Sequence, residues 1–165
     1  MGVAFALLSM FHLSYFFAFS FYNQNIAFHR WFTVTLVLFT QIHIMLFVIQ
    51  YPDNRNNKES KYIQVFMYLL AIFASLYYIV NTYSSPVIFR FDGHFWDINN
   101  DRANFSAGAF IMLFGILAIL VLIWRIIQLK KRELVWMLLV TIPFLIGMLI
   151  PSISNILYRQ GLVSR

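Results

Sequence analysis

Residues 90–102 read RFDGHFWDINNDR, and three of the chain's six acidic side chains, Asp92, Asp97 and Asp101, stand there with His94 and Trp96. Asp92, His94 and Asp97 fall at i, i+2 and i+5, and they supply the oxygen and imidazole donors that a divalent cation takes. Only His29, in another segment, could add to them. Donors so few leave an ion mostly hydrated, so no metal site is expected. Phe91, Phe95 and Trp96 offer apolar surface instead, and burying one such ring contributes about 2 kcal/mol. With Pro86 and Gly93 interrupting the chain, the segment is expected to be a lid held by its aromatic residues, with Asp97 dispensable for docking.

Two other histidines invite a different chemistry. His12 and His43 lie inside apolar runs, where an ionisable group is costly unless it meets a partner or a cavity. If the two runs are consecutive antiparallel helices, the rings could lie about one helical turn apart in depth. Bis-imidazole ligation of a haem is one use of such a pair. The plainer use is a neutral histidine bonded to Gln41, Thr40 or a neighbouring serine, and no cofactor is expected.

The last apolar run, TIPFLIGMLIPSISNILYRQG, carries Pro143 and Pro151 eight positions apart, with Gly147 midway. Each proline removes a backbone hydrogen bond and presses its ring on the preceding turn, so this helix should bend. Asn155, four residues after Pro151, shares its face. Pro143, Pro151 and Asn155 are therefore candidates for a hinge, moving or static.

These residues must be positioned in an unusual solvent. The chain has 165 residues, 61% of them hydrophobic and 11% charged, with a mean hydropathy of +0.74. A soluble domain carries about a quarter charged residues. Runs of roughly 20 apolar residues are what a membrane-spanning helix requires. Five qualify, at 2–22, 31–50, 63–83, 105–124 and 134–157, and they predict an all-α membrane protein, one polytopic domain of five transmembrane helices without a soluble output domain.

Lysine and arginine density orients these spans. Arg55, Lys58 and Lys61 in the second connector join Arg125, Lys130, Lys131 and Arg132 in the fourth. Arg30, Arg90, Arg102, Arg159 and Arg165 fall on the other side. The amino terminus is expected in the cytoplasm and the carboxyl terminus outside, with residues 90–102 outside as well. Tyr22, Trp31, Tyr51, Tyr62, Trp124 and Trp136 sit at the span ends, where amphipathic rings favour the headgroup level. No cysteine is present, which excludes disulfides and thiolate chemistry. Neither a cleavable signal peptide nor a myristoylation signal is expected at the start.

The basic turn followed by LIPSISNILYRQG, together with QYPDN and an outer loop containing HFWD, resembles the seven-helix membrane sensor module of bacterial signalling proteins. In those proteins the module precedes a histidine kinase, nucleotide cyclase or serine phosphatase domain. The resemblance covers residues 10 to 165 and rests on spacing and a few polar marks. It implies that the five spans correspond to helices two to six, with the first, the seventh and the output domain missing, as in a truncated copy. It places ligand sensing on the outer side, at Asp92, His94, Trp96 and Asp97, and it matches Pro151 and Asn155 to the penultimate helix.

Three functions follow as expectations. The first is a sensor or input module in the bacterial inner membrane. Its partners would be the lipid bilayer, a small ligand, and a cytoplasmic signalling domain encoded separately or lost. The second is a membrane cytochrome built on His12 and His43. The third is a small transporter subunit, disfavoured because charged residues fall at or outside the span ends. No catalytic constellation is found, so no enzyme is expected. Nucleic acid is not expected either, since the basic residues cluster between apolar runs.

Overall fold

The computed structural model describes residues 1–51, 58–83, 89–91 and 93–159. Five long helices account for most of them: α1 (Gly2–Ser20), α2 (His29–Gln50), α3 (Lys58–Tyr83), α4 (Asp101–Ile126) and α5 (Lys131–Arg159). A 3-10 turn, Gln24–Phe28, leads into α2. Between α3 and α4 stand two short antiparallel strands, β1 (Phe89–Phe91) and β2 (Trp96–Ile98), which the spans alone did not anticipate. The fold is all-α apart from this hairpin.

By length and apolar composition four stretches could cross a membrane: Gly2–Ser20, Gln24–Gln50, Lys61–Tyr83 and Asp101–Ile126. The fifth expected span lies on α5. There the side chains of residues 148, 149, 151, 152, 154–156, 158 and 159 lie outside the described set.

The helices outrun their apolar runs where polar residues can finish them. α4 starts four residues earlier than its apolar span because Asn100 caps it, the side-chain Oδ1 accepting from the Ala103 N–H at 3.0 Å. Asp101 in the first turn and Arg125 in the last complement the helix dipole. In α1 the hydroxyls of Ser9, Ser14 and Ser20 donate to Phe5, Phe11 and Phe16 carbonyls of the same helix. These serines therefore need no partner from a neighbour, which suits an apolar surrounding.

α2 is the axis. It packs against each of the other four helices. Within Gln24–Gln50, 67% of the most apolar window is buried, against 11% for α1 and 28% for α3 and α4. α1 buries Ala4 and Ala18 with Phe11 half-buried between them, a seam spaced by seven residues, sets Phe5 against Phe144 of α5 at 4.9 Å, and turns Leu13, Phe16 and Phe17 outward. Small residues let the backbones approach elsewhere: Ala71 and Ala74 on α3, and Ala103, Ala107, Gly115 and Ala118 on α4.

Polar side chains set the register. Trp31 Nε1 donates to Thr82 Oγ1 at 2.8 Å, joining α2 to α3 near the hairpin. Gln41 Nε2 donates to the Ile111 carbonyl at 3.2 Å, joining α2 to α4 in mid-bundle. Tyr78 donates to Asn104 Oδ1 at 3.2 Å, joining α3 to α4. At the end bearing the basic turn, Arg125 is buried and donates to the Tyr51 carbonyl and, at 3.0 Å, to Gln128 Oε1. Tyr51 is the C-cap of α2, and the last carbonyls of a helix have no partner within it. Arg125 supplies one, and its charge meets the negative end of the dipole. Counting it as a loop charge missed this role.

Candidate functional site: the hairpin lid and the polar residues within the bundle

The hairpin closes one end of the bundle. Its register pairs Phe89 with Ile98, Arg90 with Asp97 and Phe91 with Trp96. Gly93 turns the chain with φ of 85°, a left-handed conformation that side chains with a Cβ adopt at a cost. The Ile98 carbonyl accepts from Asn104 Nδ2 at 2.9 Å, which ties β2 to α4.

Aromatic contacts seat the lid. Phe95, 8% exposed, lies among Tyr15, Phe19 and His29 at ring distances of 5.9, 5.2 and 5.5 Å. Tyr22 meets Phe91 at 5.2 Å and Trp96 at 5.9 Å, and Phe89 meets Phe28.

The strongest tie is ionic. Arg30, in the first turn of α2, grips Asp97 with both arms, Nε to Oδ1 at 2.8 Å and Nη2 to Oδ2 at 2.7 Å. Its third group, Nη1, donates to the Tyr15 hydroxyl of α1 at 2.9 Å. Asp97 Oδ1 also accepts from the Ile98 N–H at 2.8 Å. One guanidinium therefore binds α1, α2 and the lid together. The expectation that rings alone dock the lid is corrected here: Asp97 is an anchor, 4% exposed, and its carboxylate is already engaged on both oxygens. The sequence carries a signal for this, an arginine opening an apolar run on the side where the acidic residues lie.

The remaining candidates of the loop separate. His94 stands exposed at the hairpin tip, 6.3 Å from the ring of Phe19. Trp96 is half-buried, and its Nε1 is a buried donor without a hydrogen-bond partner among the described residues. Asp92 lies outside the described residues. His29 is buried beneath the lid with Nδ1 on the Ile26 carbonyl at 2.9 Å and Nε2 without a partner among the described residues. Among the described residues no three His, Asp or Glu side chains gather in a way that could hold a metal ion.

His12 and His43 are not brought together. Tyr15 of α1 meets Arg30 of α2, which sets His12 level with about Thr33. His43 lies about ten residues further along α2, roughly 15 Å away in depth. His12 faces outward, whereas His43 bonds the Tyr68 hydroxyl through Nε2 at 2.9 Å. The partner comes from α3 and is a tyrosine, not the Gln41, Thr40 or serine expected. A single iron cannot reach both rings in this arrangement.

His43 also lines a cavity of about 400 Å³, with Phe47, Gln50 and Tyr51 of α2, Gln64 of α3 and Met1. On α5 the helix runs unbroken past Pro143, Gly147 and Pro151. Pro143 and Gly147 are exposed, and a Cβ on Gly147 would meet nothing within 4 Å. The Pro151 and Asn155 side chains lie outside the described residues. No protein-family model, no curated protein and no solved structure matches the chain.

Proposed function

We propose that this chain is a multi-pass protein of the bacterial inner membrane that works as the sensing or input module of a signal-transduction protein, with the hairpin lid on the outer side. Large apolar side chains exposed on four helices support insertion: Phe16 on α1, Phe73 on α3, Leu120 on α4 and Ile146 on α5 are each at least half exposed. Lipid is the surrounding that such a surface suits. The amino terminus is placed inside and the carboxyl terminus outside because the basic turn at 125–132 marks the cytoplasmic end.

The observation that carries the sensor reading is the Arg30–Asp97 pair. It fastens the hairpin at the outer end to α2, the helix on which the other long helices pack. A small ligand that shifts the lid thereby acts on the axis of the bundle, and α2 ends beneath Arg125 at the cytoplasmic turn. His94, exposed at the tip, and Trp96, with its unused donor, are the residues offered to such a ligand; Asp97 transmits its effect. The signal would pass to a cytoplasmic kinase, cyclase or phosphatase domain encoded separately or lost by truncation, with Pro143, Pro151 and Asn155 as the joint nearest the carboxyl terminus. The haem alternative on His12 and His43 finds no support in their separation.

A thermal-shift screen of small polar molecules on the protein in lipid nanodiscs tests this reading. A binder present at about a hundred times its Kd stabilises by about 2.7 kcal/mol. The expected hits lose their shift in His94→Ala and Trp96→Ala. Hits indifferent to both substitutions would place recognition elsewhere.

A further inference from the structure

The cavity beside His43 opens at the end of the bundle opposite the lid, between α2, α3 and the start of α1. Its side chains carry three kinds of uncharged polar group. His43 has one ring nitrogen on Tyr68, with no second hydrogen bond to the ring among the described residues. Gln64 of α3 and Gln50 of α2 each contribute an amide to the lining. Phe47 and Tyr51 lie along one wall with their rings 5.3 Å apart.

We propose that this cavity binds the head of a neutral, planar, lipid-soluble molecule bearing ring carbonyl or hydroxyl groups, a quinone-type amphiphile. Depth is the first reason. His43 sits seven residues before Gln50, about 10 Å in from the helix end, and an ionisable side chain at that depth ordinarily serves a ligand or a relay. Charge is the second. Among the described residues no acidic, lysine or arginine side chain lines the cavity and the charge there is that of the Met1 amine, so ring carbonyls find that amine together with imidazole, phenol and amide donors. Size and shape are the third. Binding sites for small molecules run from about 300 Å³ upward, and at about 400 Å³ the cavity, with Phe47 and Tyr51 along one wall, has room for a single planar ring.

The test is calorimetric titration of the protein in zwitterionic nanodiscs with a benzoquinone carrying one isoprene unit. Helicity of each variant is verified first by circular dichroism. Saturable binding is expected, weakened about tenfold by His43→Ala and by Gln64→Leu, the loss of about one hydrogen bond each. Uptake that never saturates would show mere partition into the bilayer and overturn the proposal. Saturable binding unchanged in both variants would also overturn it. Displacement of the quinone by phosphatidylglycerol at equal mole fraction would make this a phospholipid headgroup site instead, and would overturn it too.

Discussion

Arg30 and Asp97 stand 67 residues apart in the chain and meet as a two-armed pair, 2.8 Å from Nε to Oδ1 and 2.7 Å from Nη2 to Oδ2. Their side chains are 12% and 6% exposed. A pair so withdrawn from water adds little net energy compared with apolar packing, yet removing one partner strands the other charge. Its value here is positional, because it fixes which way the lid sits on α2.

Asp97→Asn should therefore cost about 3 kcal/mol, within the range for breaking a buried pair. The readout is trypsin cleavage at Arg90 and Arg102, which should accelerate. Arg30→Lys keeps the charge without the fork and should fall between wild type and Asp97→Asn. Equal cleavage rates in all three proteins would show that the rings alone hold the lid.

Arg125→Gln should loosen the far end of α2. The Tyr51 carbonyl loses a charged donor, and a bond of that kind contributes about 1.5–3 kcal/mol. Amide exchange over residues 47–51 should quicken, while exchange around Trp31 at the opposite end stays as it is. Uniform quickening along α2 would mean that Arg125 supports the whole bundle and not its end.

Gly147→Ala separates packing from motion. A Cβ there meets nothing within 4 Å among the described residues, and alanine is a better helix former than glycine by up to about 1 kcal/mol. The melting temperature should hold or rise. A fall would show that α5 is packed there against something that this chain alone does not provide.

Sidedness is open to direct labelling because the chain has no cysteine of its own. Asn99→Cys, beside the lid, should react with an impermeant thiol reagent on intact cells. Lys130→Cys, in the basic turn, should react only after permeabilisation. The reverse pattern would invert the orientation.

Much of the helical frame was legible in the sequence, since each of the five long helices coincides with an apolar run. The seam of Ala4, Phe11 and Ala18 was not, because α1 is apolar on every face and no one stripe stands out. Boundaries were less so: Asn100 and Asp101 announce a helix start by capping, which an apolar window does not register. The hairpin escaped because its strands are three residues long, too short for alternation to show, and only Gly93 marked the turn. Arg30 and Arg125 were the larger omissions. Sequence position identifies an arginine at a span end but does not reveal whether its head turns outward to water or inward to a carboxylate 67 residues away or a carbonyl 74 residues away. His43 stands out in the sequence as a polar group in an apolar run, whereas its partner Tyr68 depends on the α2–α3 register, which only packing sets.

The most direct measurement of coupling between the lid and the bundle is a distance at the end remote from the lid. Spin labels at Tyr62→Cys on α3 and Trp136→Cys on α5, both exposed, report that end by pulsed electron resonance in nanodiscs. Releasing the lid with Asp97→Asn should shift or broaden the distance distribution between them, because α2 lies against both helices. A distribution unchanged by Asp97→Asn, in a protein whose lid has become protease-sensitive, would contradict the proposal that the lid speaks to the cytoplasmic end.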